Sequence, residues 1–265
     1  MDALSIPCAG GVDTTAVIVG DFSNGNDAVI QKGKDKLADI KDQKVNLVEF
    51  SVSHYLLARA LESAKLEEKD VKVVNTSDAD MAAAYKTADV SAVVTWKPIV
   101  STILESPDAK KVFDSSQIPG EIIDLMVANS AVVKDNPNFA KALAGIWYDT
   151  MVALAKDPKA KEPKAKESMA KASGTDVKGL DEQLATTKLF ADSKNAIAFA
   201  TSPDLKATTD KVSKFLFAKA LLGKDAKSAD AIGVSFPDQS TFGDKGNVKL
   251  HYDVSFMQAA ADGKL

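Results

Sequence analysis

Cysteine and histidine are almost missing from this chain. A single Cys8 cannot build a disulfide framework, and with only His54 and His251 beside it the ligands for a His/Cys metal site are too few. The scarcity of cysteine suits an exported protein as well as an internal one, so it does not decide the compartment. Long apolar runs are missing too. None approaches the roughly 20 residues needed to cross a bilayer, and no charged, apolar and small-residue succession at the start reads as a signal peptide. If 265 residues are the whole product, the chain is expected to stay in the cytoplasm. Charge of one sign is also lacking. A net charge of −4 and a pI near 5.3 give no general attraction to nucleic acid or anionic lipid, which leaves small molecules and proteins as partners. Finally, Ala9-Gly-Gly-Val12 is not a Gly-x-Gly-x-x-Gly fingerprint and no strand pattern feeds it, which disfavours a dinucleotide enzyme.

What remains is ordinary globular material, 45% hydrophobic and 26% charged, long enough for one large domain or, preferably, two lobes. From residue 45 the pattern alternates. An apolar run Val45–Phe50 precedes a helix Tyr55–Ala64, the run Val71–Asn75 a helix Asp78–Tyr85, and the run Val90–Thr95 a helix opened by Pro98. This β-α-β-α-β-α order predicts parallel strands joined by crossover helices. Ser77 and Asp80 have capping-box spacing at the second helix. Val112-Phe113 leads to Asp114, and Ile122–Val127 is a further apolar run.

Beyond residue 130 helices dominate. Asn136-Pro137 opens one whose apolar stripe is Phe139, Leu143, Ile146, Trp147, Met151 and Leu154, a core face; Ser202-Pro203 opens another, carrying Leu205, Val212, Phe215, Leu216 and Leu222 and ended by Gly223. The Lys/Ala/Glu/Pro stretch 156–167 reads as a solvated connector rather than a docking patch. Near the start, Ala16–Val19 and Ala28–Ile30 flank a polar turn, 21–27. These two strands are too little for a sheet and must join strands from elsewhere in the chain.

Four polar stretches fall at predicted strand ends: Asn24–Asp27, Ser51–His54, Trp96–Pro98 and Asp114–Asp124. In open α/β sheets ligands sit outside the carboxyl ends of the strands, so these stretches form a candidate rim. Ser51-Val52-Ser53-His54 marks a strand-to-helix handover, where unpaired N–H groups and the positive end of the helix dipole favour a small polar ligand. Read alone, the same serines are ordinary N-caps. Asp124 interrupts Ile122-Ile-Asp-Leu-Met-Val127; buried in such a strand it needs a cation or several donors, whether from a ligand or an internal salt bridge. Trp96 either closes the core or offers its indole face to a planar or cationic ligand. His54 lacks a nucleophile at recognisable spacing and is a poor general base.

Several of these phrases resemble the nitrate/sulfonate/taurine class of ABC-transporter substrate-binding proteins: Val48-Glu-Phe-Ser-Val-Ser-His-Tyr55, the strand ending in Val74-Asn75, Val94-Thr-Trp-Lys-Pro98, and Asp114-Ser with Asp124. Ser53-His-Tyr-Leu-Leu-Ala-Arg-Ala-Leu-Glu62, Val74-Asn-Thr-Ser-Asp-Ala-Asp80 and Ser115-Ser-Gln-Ile-Pro-Gly-Glu-Ile-Ile-Asp-Leu-Met126 are similar to the branch associated with urea carboxylase gene clusters, over most of residues 1–155. The resemblance implies an α/β, periplasmic-binding-protein-like fold of two lobes with doubly wound sheets. Residues 1–40 would be the remainder of lobe 1 and a hinge, 41–121 lobe 2, and 122–265 the return to lobe 1 with a helical C-terminal part. It implies a solute held between the lobes by a monomeric periplasmic receptor and handed to a membrane permease driven by an ATPase. Ser51, Ser53 and His54 would line the second lobe and Trp96 would wall the site. Asp124 would meet an amine, with Asp2, Asn26 and Asp27 facing them from the first lobe and Glu121 contributing more weakly. Relatives carry a signal peptide and about two strand-helix units ahead of the segment that starts here, so a first lobe lacking its N-terminal strands is expected.

The expected function is therefore capture of a small nitrogen-containing solute, urea- or guanidine-like or taurine-like, with no cofactor and no bond made or broken. Size bounds the affinity. At a ceiling of about −1.5 kcal/mol per heavy atom, urea or guanidine is limited to roughly −6 kcal/mol, near tens of micromolar. The rivals are an enzyme resembling thiamine-pyrimidine synthase, which shares the fold but uses histidine and cysteine with iron, and a truncated remnant without transport activity.

Overall fold

The computed structural model describes residues 1–156 and 164–265. They form two compact units, one made of Met1–Phe22 with Ile123–Leu265 and the other of Ser23–Ile122. The chain thus crosses between units twice. Strand β1 (Thr14–Ser23) leads out of the first unit. The second unit then contains β2 (Asp27–Lys32), β3 (Lys44–Leu47), α1 (Val52–Ser63), β4 (Lys72–Asn75), α2 (Asp78–Tyr85), β5 (Ala92–Trp96), α3 (Ile99–Leu104) and β6 (Ala109–Asp114).

Its five-stranded sheet has the order β4-β3-β5-β2-β6. The βαβ alternation does place β3 parallel to both β4 and β5. The sheet is nevertheless mixed, because β2 runs antiparallel between β5 and β6. For that reason residues 23–40, assigned from sequence to the first lobe and hinge, lie in this unit: β2 is a central strand of its sheet. One face of the sheet packs Ala28, Ile30 and Val93 against Met81 and Tyr85 of α2 and Val100 and Ile103 of α3. Helix α1 buries Leu56, Leu57, Ala60 and Leu61 and contacts β2 and β5. Each buried leucine contributes about 1.5–3 kcal/mol by leaving water, which is why a 12-residue helix of modest propensity is stable here.

Strand β3 stops at Leu47, short of the expected Phe50. Phe50 adopts a left-handed backbone (φ 65°) that turns the chain toward α1, and its N–H is donated to His54 Nδ1 rather than to a sheet partner.

In the first unit follow β7 (Ile123–Asn129), α4 (Ser130–Asp135), α5 (Pro137–Lys156), α6 (Lys164–Ala172), α7 (Val177–Leu184), β8 (Thr187–Leu189), α8 (Ser193–Ala200), α9 (Pro203–Ala218), β9 (Gly233–Ser235), β10 (Thr241–Phe242), β11 (Val248–Tyr252) and α10 (Ser255–Ala261). The sheet order is β10-β9-β11-β1-β7, with β8 also paired to β1. Central β1 is buried over Thr14–Gly20, and Val17 and Ile18 pack with Val133, Ala140, Ala144 and Phe256. Gly20 lets the Trp147 indole pack close against the strand, where a Cβ would lie 3.0 Å from the ring.

Strands β1 and β2 therefore fall in different sheets, each completed by distant segments, as the shortage of strands near the start required. Ser202 caps α9 by accepting from Leu205 N–H, with Pro203 following. That helix ends at Ala218, earlier than Leu222-Gly223, because Ala220 already turns left-handed (φ 57°). Strands β8 to β11 go beyond the sequence reading: each is short, and only their pairing with β1 or with one another makes them strands. Most of the connector stretch, residues 157–163, lies outside the described residues.

Candidate functional site

Register brings the polar stretches of the second unit to one edge of its sheet. Parallel β3, β4 and β5 end there at Leu47, Asn75 and Trp96. Antiparallel β2 begins there, with Asp27 opposite Trp96, and β6 ends there, with Asp114 opposite Ala28. Adjoining these ends are Asn26 just ahead of β2, Ser51, Ser53 and His54 at the start of α1, and Glu121 beyond β6, so seven of the nine sequence-predicted residues belong to this rim and its supports.

The β1–β2 turn is a hydroxyl network. Ser23 Oγ donates to Asp27 Oδ2 (2.5 Å) and meets Ser115 Oγ at 2.6 Å, while Gly25 N–H donates to Ser115 Oγ (2.7 Å). Gly25, at φ 109°, permits the tight reversal. Asp27 is buried in this network. Next to it, the side-chain oxygen of Asn26 is buried with no hydrogen-bond partner among the described residues. Across the strand pair, Trp96 stays 42% exposed and donates its indole N–H to Asp78 Oδ2 (3.3 Å). Asp114, which also bounds the rim, would be raised by burial, but hydrogen bonds from Lys111 and Ser116 outweigh that and hold its carboxyl below the usual range.

The helix-start turn is less open than its sequence suggests. Ser51 Oγ accepts from Ser53 N–H (3.1 Å) and donates to Val48 O (2.7 Å); the N–H groups of His54 and Tyr55 both bond Ser51 O. The expected cradle of convergent donors is thus largely consumed by capping, and Ser51 acts as the N-cap of α1. His54 is buried, accepts Phe50 N–H at Nδ1 and approaches Glu68 Oε2 with Nε2 (3.0 Å). Because Nδ1 accepts, Nε2 carries the proton that Glu68 receives: the ring braces the turn. Ser53 is buried beside it.

Glu121 is buried beneath the rim, not on it. Tyr55 OH donates to its Oε2 (2.8 Å), and Arg59, the only arginine in the chain, reaches both oxygens through Nε (2.7 Å) and a terminal nitrogen (3.2 Å). Burial, then the Glu121 charge, push the Tyr55 hydroxyl far up. Burial alone would lower Arg59, but Glu121 overrides it and raises the guanidinium. This is a planar fork pairing that lysine cannot reproduce, and a lone arginine among lysines is the sequence signal that could have found it.

Asp2 and Asp124 belong to the first unit and are exposed. Burial of the Asp124 carboxylate in its strand is the sequence expectation that fails. The half-covered β7 leaves this position open to water, and no compensating cation is demanded. Its nearest consequence is on Asp21, directly opposite in the β1–β7 pair. Burial first, then the Asp124 charge and a hydrogen bond with it, push the Asp21 carboxyl up to about 7. Asp21 thus keeps its proton well above the ordinary carboxylate range while it faces Asp124.

A two-unit α/β chain with mixed sheets and a polar rim at the strand ends is the architecture of periplasmic binding proteins. The periplasmic aliphatic sulphonate binding protein SsuA of Escherichia coli superposes with a TM-score of 0.68 over 85% of this chain and 74% of that one, at 19% identity. The chain belongs to the NMT1-like family, whose model matches residues 2–172. It is 24% identical to a binding protein of Brucella abortus over 147 residues, 54% of this chain and 46% of the relative. It is also 24% identical to the taurine-binding periplasmic protein of E. coli over 131 residues, 48% of this chain and 40% of that protein. The matched regions thus span less than half the length of these curated relatives.

Proposed function

We propose that the chain is the solute receptor of an ABC importer, acting in the periplasm with a membrane permease and ATPase, and that it takes a small polar solute bearing N–H donors. Kinship with the NMT1-like family and the taurine-binding relative supports the receptor reading and a taurine-like ligand. One observation carries the donor requirement: the buried, unpartnered side-chain oxygen of Asn26 at the sheet edge, one residue from Asp27 and near exposed Trp96. A buried acceptor left unpaired costs about 1–3 kcal/mol, which an ammonium, amide or guanidinium N–H would recover on binding. The indole face suits the same cationic or planar group.

Urea- or guanidine-like solutes satisfy the same acceptor and form the second reading. Calorimetric titration with taurine, an alkanesulfonate, urea, guanidine, guanylurea and nitrate tests both. The N–H-bearing compounds should bind, and Asn26→Ala should weaken them at least tenfold without shifting the melting temperature. Equal binding of nitrate or a plain alkanesulfonate, or an Asn26→Ala variant with unchanged affinity, would remove the donor requirement.

A further inference from the structure

The second histidine has a setting that its sequence position does not announce. His251 lies on β11 directly beside Ser235 of β9, its register partner in the parallel pair, and beside Thr15 of β1 on the other side. Register partners share a face, so the imidazole and the serine hydroxyl meet: Ser235 Oγ is 2.9 Å from His251 Nδ1. On the opposite nitrogen, His251 Nε2 is 2.8 Å from Asp13 Oδ1, just ahead of β1. Asp13 is itself held by Ser130, whose Oγ donates to Oδ1 at 2.8 Å and meets Thr15 Oγ1 at 2.9 Å.

The tautomer follows from the partners. An ionised carboxylate only accepts, so in the neutral ring Nε2 carries the proton and Nδ1 is the acceptor. Ser235 must then donate its hydroxyl proton to Nδ1. This is the order of roles that activates a serine: nucleophile, base, and a carboxylate that fixes the base. Segments from opposite ends of the chain converge on it. The base remains reachable, with the His251 side chain 35% exposed and Asp13 50% exposed. On the far side of Ser235, Thr241 of β10 is its antiparallel partner, which places a hydroxyl about 5 Å away between Cβ atoms on the same face.

We propose that Ser235, His251 and Asp13 form an acyl-accepting site whose substrates are small activated carboxylic esters or thioesters. Ser235 Oγ attacks the acyl carbon as its proton moves to His251 Nδ1, and Thr241 Oγ1 donates to the carbonyl oxygen as it gains charge. The bond to the leaving oxygen or sulfur breaks, and that atom takes the proton from His251. Water, deprotonated at the same nitrogen, then cleaves the Ser235 ester, returning the free hydroxyl and releasing the carboxylic acid. Asp13, with Ser130 behind it, is a positioning residue.

The full chain treated with p-nitrophenyl acetate provides the test. Up to one equivalent of p-nitrophenolate per chain should appear in an initial burst, and mapping by mass spectrometry should find the acetyl group on Ser235. His251→Gln should slow acetylation at least about 100-fold, the usual worth of a positioned general base. Asp13→Asn should slow it less and displace its pH profile, a change that a merely structural residue would not produce. Thermal melts confirm that each variant is folded, while mapping on the unaltered chain stands independently of all of them. Acetyl groups confined to lysines, or a Ser235 label no faster than that of other serines, overturns the proposal.

Discussion

Replacing Asp21 by asparagine changes one charge and almost no volume, and its effect should depend on pH in a defined direction. In the folded chain the Asp21 proton is held up to about 7, whereas in the unfolded chain the carboxyl titrates near 3.8. Below the lower value both states are protonated and the pair costs nothing. Between the two values the folded state binds the extra proton, so stability falls as pH rises, and above about 7 the full penalty of a buried Asp21 carboxylate facing Asp124 is present. The interval between these values corresponds to roughly 4 kcal/mol at about 1.36 kcal/mol per pH unit; the part-open site screens this to about 2 kcal/mol. An asparagine side chain carries no charge at any pH and can donate its amide N–H to Asp124. The Asp21→Asn variant should therefore melt about 4–8 °C above the parent at pH ~8, the gap closing toward pH ~4. Circular dichroism melts across that range provide the assay. A constant offset, or an advantage over the parent that shrinks as pH rises, would show that the Asp21 carboxyl is not raised in the folded chain.

Other perturbations separate support from recognition. Glu121→Ala takes the carboxylate from the Tyr55 hydroxyl and leaves the Arg59 charge only its exposed partner Glu62, and should cost about 1–3 kcal/mol in a urea titration; a loss near zero would show that water takes the carboxylate's place. Ser51→Ala removes the α1 N-cap and should cost about 1 kcal/mol while solute affinity changes little, whereas a large affinity loss would return Ser51 to the ligand. Gly233→Ala drives a Cβ into Asp244 O and to 2.9 Å from Val248 Cα, so β9 must part from β11; the variant should express poorly or melt well below the parent, and a normal melt would contradict the register. Asp124→Asn removes the charge that faces Asp21 and should raise the melting temperature at pH ~8 with little change at pH ~4; an unaltered pH dependence would show that Asp124 does not press on Asp21.

Much of the second unit was legible because its information is local. Apolar runs of four to six residues alternating with amphipathic stretches, opened by Ser51 and Ser77 and stopped by polar turns, specify strands and helices through short-range sterics and capping. The same alternation implied that polar strand ends would gather at one edge, and Asn26, Asp27 and Trp96 do gather there. Local pattern also showed that β1 and β2 lacked partners.

Which partners they found is a tertiary matter, since an antiparallel insertion such as β2 between β5 and β6 leaves no local trace. Two- and three-residue strands such as β10 and β9 exist only through their ladders. Charge environments are equally non-local. The run around Asp124 reads as buried, yet the side it presents is open, and its effect falls on Asp21, 103 residues earlier in the chain. Residue order alone set the alternation, the caps and the residue types at the strand ends. Folding then chose which hydroxyls, carboxylates and rings face one another, because hydrogen bonding and desolvation act at distances of a few ångströms that strand register, not sequence separation, sets.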